Sequence, residues 1–246
     1  SLGIGTVEVK RRLRVGFFST GDELRSIGEN LDDGCVYDSN RYTLFGMLSR
    51  LGVELHDFGV VRDQPDAMRA AFSKAASMCD AVITSGGVSV GEADYTKQIM
   101  RELGDVSFWK IAMRPGRPMA FGSIKSDNHQ AVLFGLPGNP VAVMVTFYQF
   151  VRNALLSMSG ATDVAPLVMQ AKAVEAIRKR PGRTEFQRGV LSTDATGTRT
   201  VRITGAQGSG VLRSMSEADC FIVLEHDQDQ IKAGDTVGVV LFEGLV

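Results

Sequence analysis

The chain has 246 residues, 44% of them hydrophobic, enough for a sizeable core and for two domains. Its 27 basic and 28 acidic residues leave a net charge of −1, so no bulk charge points to nucleic acid or to an anionic membrane. Three scattered cysteines (Cys35, Cys79, Cys220) and three scattered histidines suit neither a disulfide framework nor a zinc centre and point to a reducing cytoplasm. No apolar run approaches membrane-spanning length.

The chain opens on Ser1, not on a methionine, and residues 1–13 read as the remnant of a linking segment. RVGFFST (14–20) is a buried-strand run. DSNRYTLFGMLSRLG (38–52) reads as a helix: Asp38 or Ser39 caps it, Leu44, Met47, Leu48 and Leu51 form one face, and Gly52 ends it. VELHDFGVV (53–61) is the next strand, and PDAMRAAFSKAASMC (65–79) a helix with proline in its first turn. AVITS (81–85) is a strand that feeds the turn SGGVSVGEADYT (85–96) and the helix DYTKQIMREL (94–103). VSFWKIAM (106–113), MAFGSI (119–124) and AVLFGL (131–136) are further strands, the last two forming a hairpin. NPVAVMVTFYQFVRNALLSMSG (139–160) is a long, mostly apolar helix. Strand and helix alternate here, so residues 14–162 are expected to form an α/β domain, a mainly parallel sheet with helices on both faces.

The break at ATDVAP (161–166) changes the pattern. LVMQAKAVEAI (167–177), FQRGVLS (186–192), TRTVRIT (198–204), CFIVLEH (220–226) and TVGVVLF (236–242) are strand-like, with turn signals between them and no convincing helix. Residues 163–246 are expected to form a small β-barrel or sandwich.

In an open parallel sheet, ligands bind beyond the carboxyl ends of the strands. The segments that follow these strands are Gly21-Asp22-Glu23, Arg62-Asp63-Gln64, the glycine-rich turn 85–94, Arg114-Pro115-Gly116-Arg117-Pro118 (preceded by Lys110) and Pro137-Gly138-Asn139-Pro140. Such a turn before a helix suits a phosphate, because backbone N–H groups point at the anion and Gly86, Gly87 and Gly91, with Ser89 between them, allow close approach. No P-loop lysine is present; carboxylates stand there instead. That suits a phosphate ester whose charge a Mg²⁺ ion offsets, held by Asp94 with Glu23 or Asp63. Alternatively Asp94 caps its helix, the Gly21-Asp22-Glu23 segment is a plain tight turn, and Asp63 opens a turn before Pro65. Two arginines on a proline-bounded turn favour an oxyanion, or a solvated loop. Residues 136–140 form a turn whose free N–H groups favour an anion, or a rigid connector with Asn139 as cap. Phe186-Gln187-Arg188-Gly189 and Gln207-Gly208-Ser209-Gly210 read, each alone, as β-turns.

Together, STGDEL (19–24), SGGVSVGEADYT (85–96), KIAMRPGRPMAFG (110–122) and GLPGNPVAVMVTF (135–147) resemble the MoeA family of molybdopterin molybdotransferases, which includes the gephyrin E domain. The match runs in order over almost the whole chain. It implies a molybdopterin-binding α/β fold followed by a C-terminal β-barrel. It also implies a reaction: adenylylated molybdopterin and molybdate are the substrates, Mg²⁺ is the cofactor, AMP leaves, and molybdenum passes to the dithiolene sulfurs. By position, Glu23, Asp63 and Asp94 match family acids linked to catalysis, with Asp94 and Glu23 as metal ligands. Lys110, Arg114, Arg188 and Ser209 match residues associated with molybdate. Pro137 and Pro140, flanking Gly138 and Asn139, match paired prolines beside the site.

The family often has lysine where this chain has Arg114 and Arg117, and the two are not equivalent toward an oxyanion. Its full-length members carry two N-terminal domains that complete the site across a homodimer, so this chain alone is expected to turn over poorly. The resemblance further implies a molybdopterin adenylyltransferase as partner. Three rival readings are a molybdopterin adenylyltransferase itself, whose glycine loop is of a TGGTG type and which lacks the β-half; a non-catalytic scaffold that has lost the acids; and a nucleotide-binding protein of unrelated purpose, which would follow if the β-half made no contact with the strand-end cluster.

Overall fold

The structure is a computed structural model; it describes residues 2–88 and 94–242, so Ser89, Gly91 and the side chain of Asp94 lie outside the described residues. In chain order the first half runs β1 (Arg14–Thr20), β2 (Leu24–Arg25), β3 (Val36–Tyr37), α1 (Ser39–Arg50), β4 (Glu54–Val61), α2 (Pro65–Met78), β5 (Ala81–Ser85), α3 (Asp94–Leu103), β6 (Gly104–Lys110), β7 (Met113–Arg114), β8 (Pro118–Ser126) and β9 (His129–Leu136). A continuous helical rod follows: α4 (Pro140–Thr146), a π-helical turn (Phe147–Val151) and α5 (Arg152–Met158).

Six strands form one sheet in the order β4-β1-β5-β9-β8-β6. The first four are parallel; β8 runs antiparallel to β9, and β6 antiparallel to β8. The expected 119–124/131–136 hairpin is the β8–β9 pair. Side chains alternate across the strands with period two. Val15 and Phe17 of β1 therefore enter a core with α1 and the helical rod, while Phe18 enters a second core with α2 and α3. Helices cover both faces, which is why β1 and β5 read as unbroken apolar runs.

The second half contains β10 (Met169–Ala173), β11 (Thr184–Thr193), β12 (Arg199–Ile203), a one-turn α6 (Arg213–Ser216), β13 (Cys220–Leu224) and β14 (Thr236–Leu241). Their order, β12-β10-β14-β13-β11, closes through β11–β12 pairing into a five-stranded barrel. Closure works because β11 is ten residues long: its first half pairs with β13 and its second half with β12.

Four expectations need correction. The strand expected over 106–113 stops at Lys110, and Met113–Arg114 leaves the first sheet to pair in parallel with Thr184–Glu185 of β11. The strand expected over 167–177 is five residues long. The β-half contains one helical turn, α6. The helix Pro140–Met158 is in fact long and apolar enough to cross a membrane by length and composition, with mean hydropathy 1.3. Half of that window is buried inside the protein, and its Val141, Val143, Val145 and Phe147 are fully buried in the core beneath the sheet. The apolar character of this helix thus reflects burial against protein. That core also takes in Met215, Phe221 and Val240 from the barrel, and the Tyr148 ring meets Phe221 edge-on at 5.9 Å. The two lobes therefore share packing.

Candidate functional site

The turns that leave β1 and β4 are tied to each other. Gly21 N–H donates to the Val61 carbonyl at 3.3 Å, Arg62 Nη1 to the Asp22 carbonyl at 2.8 Å, and Asp63 N–H to Asp22 Oδ1 at 3.2 Å. These bonds put Glu23 and Asp63 on one pocket of about 260 Å³, together with Thr20, Ser85, Gly86 and Gly87. Gly86 N–H donates to the Leu136 carbonyl at 3.1 Å. At φ +90° a Cβ on Gly86 would stand 2.6 Å from the Thr20 carbonyl oxygen; on Gly87 it would stand 2.7 Å from the Thr96 methyl. Neighbouring chain, then, already demands both glycines, before any ligand approaches.

Two carboxylates on a pocket of this size fit a Mg²⁺ ion, which takes one or two protein carboxylates and fills the rest of its octahedron with water and substrate oxygens. Among the described residues no three His, Cys, Asp or Glu side chains converge. A cation here would be shared with the ligand, with no cage of its own.

A larger cleft of about 780 Å³ adjoins this pocket. Arg114, Arg117, Pro137, Asn139, Pro140 and Ser209 line it, and Glu23, Leu24, Asn40 and Gly138 border both hollows. Pro140 occupies the first turn of α4, as its fixed φ favours. Asn139 stands at the cap position, but its side chain makes no capping bond. The Val141 N–H is not open to an anion: it donates to the Ser209 carbonyl at 3.0 Å. That bond seats the barrel loop 206–210 on the start of α4 and brings Ser209 into the cleft. Asp38 is the cap of α1, its Oδ1 accepting from Arg41 N–H at 3.2 Å.

Lys110 and Arg188 do not line the large cleft. Lys110 borders a side hollow of about 320 Å³ with Arg117 and Arg183. Arg188 is 1% exposed; its Nε donates to Ser214 Oγ at 3.0 Å, and its Nη2 to the Gly208 and Ala206 carbonyls at 3.1 and 3.4 Å. Burial, aided by the nearby Arg114 charge, pushes its guanidinium down to about 10, so it stays protonated at neutral pH. Arg188 thus braces the loop that carries Ser209. It also borders another hollow of about 320 Å³, which Arg114 shares with the main cleft.

Asn40 and Arg183 are among the cleft residues that sequence reasoning missed. Asn40 is 6% exposed; its Nδ2 donates to the Gly138 carbonyl at 2.7 Å, while its buried Oδ1 has no partner among the described residues. The local signal was an asparagine two residues after the helix cap Asp38; its facing of the glycine turn is a long-range contact. Arg183, beside the 114–118 turn, carried no local signal, because its place depends on the β7–β11 pairing.

Two family models match the chain in succession. Residues 16–157 match the family described as "Probable molybdopterin binding domain", and residues 170–242 the "MoeA C-terminal region (domain IV)". The chain belongs to the MoeA family. The MoeA C-terminal match falls on the closed barrel. A protein of Haemophilus influenzae named molybdopterin molybdenumtransferase is 42% identical over all of this chain and 60% of its own length. A Nostoc protein of the same name is 34% identical over 95% of this chain and 54% of its own. The solved structure of a molybdopterin biosynthesis MoeA protein from Pyrococcus horikoshii superposes with a TM-score of 0.79 at 31% identity, over 95% of this chain and 55% of that one. The chain therefore spans between half and two thirds of the length of these MoeA relatives.

Proposed function

We propose that this chain carries the substrate-binding part of a molybdopterin molybdotransferase, which consumes adenylylated molybdopterin and molybdate and releases AMP and molybdenum cofactor. The observation that carries this reading is the continuity of the cleft. Its acidic, glycine-lined end (Glu23, Asp63, Gly86, Gly87) runs through a shared wall (Asn40, Gly138) into a basic end (Arg114, Arg117, Ser209). A ligand with a phosphoanhydride at one end and an oxyanion-accepting centre at the other needs such polarity. Residues 14–162 would form the ligand-binding lobe and 163–246 the barrel lobe, after a linker at 1–13.

In this reading Asp94, joined by Glu23 or Asp63, would hold the Mg²⁺ ion, which would offset charge on the anhydride oxygens. The Gly86 N–H is taken by the Leu136 carbonyl, so within the described part of the glycine turn Gly87 would offer its N–H to phosphate; Ser89 and Gly91 lie beyond the described residues. Arg114 fixes an oxyanion through its planar fork of donors, Lys110 adds charge from the adjoining hollow, and Arg188 holds Ser209 in position. Pro137 and Pro140 stiffen the turn that carries Gly138 and Asn139, so the wall needs no reorganisation when ligand arrives. Cytoplasmic location, homodimerisation in the longer protein, and supply of substrate by a molybdopterin adenylyltransferase belong to the same proposal.

Calorimetry with adenylylated molybdopterin tests it, with and without Mg²⁺ and molybdate, on the wild type, Glu23→Gln and Asp94→Ala. Mg²⁺-dependent binding that both substitutions weaken supports the reading. Binding indifferent to Mg²⁺ and to both acids would leave the carboxylates as solvated turn residues and overturn it.

A further inference from the structure

Two residues that face each other as a hydrogen-bonded antiparallel pair exchange two N–H···O bonds. The β11–β12 ladder ends on Gly189 opposite Ile203, so Arg188 and Thr204 come next in register. Half of their exchange is in place: Thr204 N–H donates to the Arg188 carbonyl at 2.9 Å. The return bond is rerouted. Arg188 N–H donates to Gln207 Oε1 at 2.8 Å, while Gln207 Nε2 donates to the Thr204 carbonyl and, at 3.1 Å, to the Arg188 carbonyl. A side-chain amide is thus inserted into the ladder. It takes the N–H that Thr204 would have taken and gives the Thr204 carbonyl a donor in exchange.

This insertion lets the chain leave the barrel without orphaning a buried backbone group. Both residues it serves are buried, Arg188 at 1% and Thr204 at 2% exposure. Residues 205–210 then run to α4, where the Ser209 carbonyl takes the Val141 N–H at 3.0 Å. Three of these six residues are glycine, and Gln207 carries the one long side chain among them. Glycine backbone has many accessible conformations, so the anchors of this loop decide where it sits. They are the Gln207 amide, the Val141 N–H, and the Arg188 guanidinium on the Ala206 and Gly208 carbonyls. Gly208 and Ser209 line the main cleft, whereas Gln207 borders the adjoining hollow with Arg188 and Ile203. The amide therefore reaches a ligand in the cleft only through the loop it holds.

We propose that Gln207 is a positioning residue of the cleft: its amide, inserted between Arg188 and Thr204, sets the 205–210 loop against α4 and so fixes Ser209 on the ligand. The proposal rests on the cleft being a ligand site, as above. It assigns to a side chain outside the cleft the task of holding the barrel's contribution in place. Arg188 grips the loop by its carbonyls; Gln207 ties the start of the same loop to the backbone of β11. Without the amide, the Arg188 N–H and the Thr204 carbonyl both lose a partner, and the loop is left on two anchors.

The test compares wild type, Gln207→Met, Gln207→Asn, Ser209→Ala and the double variant of Gln207→Met with Ser209→Ala, all in the 246-residue chain. Calorimetry with adenylylated molybdopterin, Mg²⁺ and molybdate reads affinity, amide exchange without ligand reads the loop, and thermal melting reads the fold. Gln207→Met, close to glutamine in size, is expected to weaken binding about fivefold or more. Its exchange in residues 205–210 is expected to rise about tenfold, with the rest of the barrel unchanged. Gln207→Asn keeps the amide on a shorter stem, guards against misfolding of the methionine variant, and is expected to fall between. Because Gln207 acts through Ser209, the double variant is expected to bind within about twofold of Ser209→Ala alone. Losses that multiply, or a Ser209→Ala that binds like wild type, would break that link and overturn the proposal. Affinity kept in both Gln207 variants, with only the melting temperature lowered, would reduce the amide to a barrel closure and overturn it while sparing the cleft. A wild type that does not bind would overturn the reading of the cleft and this proposal together.

Discussion

Asn40 Nδ2 donates to the carbonyl oxygen of Gly138 at 2.7 Å, a bond that joins the first turn of α1 to the proline turn ahead of α4. Both residues stand on the wall between the acidic pocket and the large cleft. Removing the donor leaves the Gly138 carbonyl without this partner and opens the wall. Asn40→Ala is therefore expected to cost roughly 1–3 kcal/mol, the range for a buried group that loses its hydrogen bond. Urea denaturation reads the cost, and an unchanged midpoint would show that the bond contributes nothing net.

Gly86→Ala should be more damaging than an ordinary loop substitution. A φ of +90° disfavours any L side chain, and the new methyl would meet the Thr20 carbonyl at 2.6 Å. Backbone cannot yield as a flexible side chain does, so a loss of about 2–4 kcal/mol is expected. A melting curve within a degree of wild type would show that the turn tolerates a Cβ.

Glu23→Gln separates stability from binding. Glu23 is exposed, and such surface changes usually stay within about 0.5 kcal/mol. Its melting temperature is expected to match wild type while the Mg²⁺-dependent part of ligand binding disappears. A matched loss of both would make it a folding residue.

Asp80 anchors the N-terminal approach to the sheet. Arg11 grips it through two bonds of 2.7 Å, and Arg14 adds its backbone N–H at 2.8 Å. The side-chain bond from Arg11, then the bonds from Arg14, hold the carboxyl well below its ordinary 3.8, against an opposing desolvation. A depressed native value means the anion stabilises the fold. That contribution is complete above the ordinary value and drains away as pH falls through the depressed one. Asp80→Asn is expected to lower the urea midpoint at neutral pH, with the gap from wild type closing in strong acid. A gap that is constant with pH would make the effect steric.

Arg188→Met replaces a buried guanidinium by an apolar chain of similar length. The Gly208 carbonyl and Ser214 Oγ then lose their charged donor, and the Ser209 loop loses its brace. A loss of roughly 2–4 kcal/mol is expected, together with faster amide exchange in residues 206–210. Unchanged exchange there would place the bracing elsewhere.

Much of the fold was legible because it is written in local patterns. The buried run of β1, the proline opening α2, the caps of α1 and the β8–β9 hairpin all come from neighbours a few residues apart. The parallel α/β layers and the barrel followed from the order of those elements. β2, β3, β7 and α6 were not legible, being two to four residues long. Segments so short have no period, and partners elsewhere in the chain decide them. The site divides similarly: the turns holding Glu23, Asp63, Gly86, Arg114 and Pro137 were found at strand ends, whereas Asn40 and Arg183 were not.

By itself the sequence determined which segments become strands and helices, and that polar turns gather at one edge of the sheet, since periodicity and turn chemistry act over short distances. Only the tertiary structure decided that the Ser209 carbonyl takes the Val141 N–H, that Arg188 serves the loop instead of the cleft, and that β7 crosses to β11 and sets Arg114 beside Arg183. Each of these is a contact between residues distant in the chain. The contacts form when the shared core around Tyr148 and Phe221 docks the barrel on the α/β lobe.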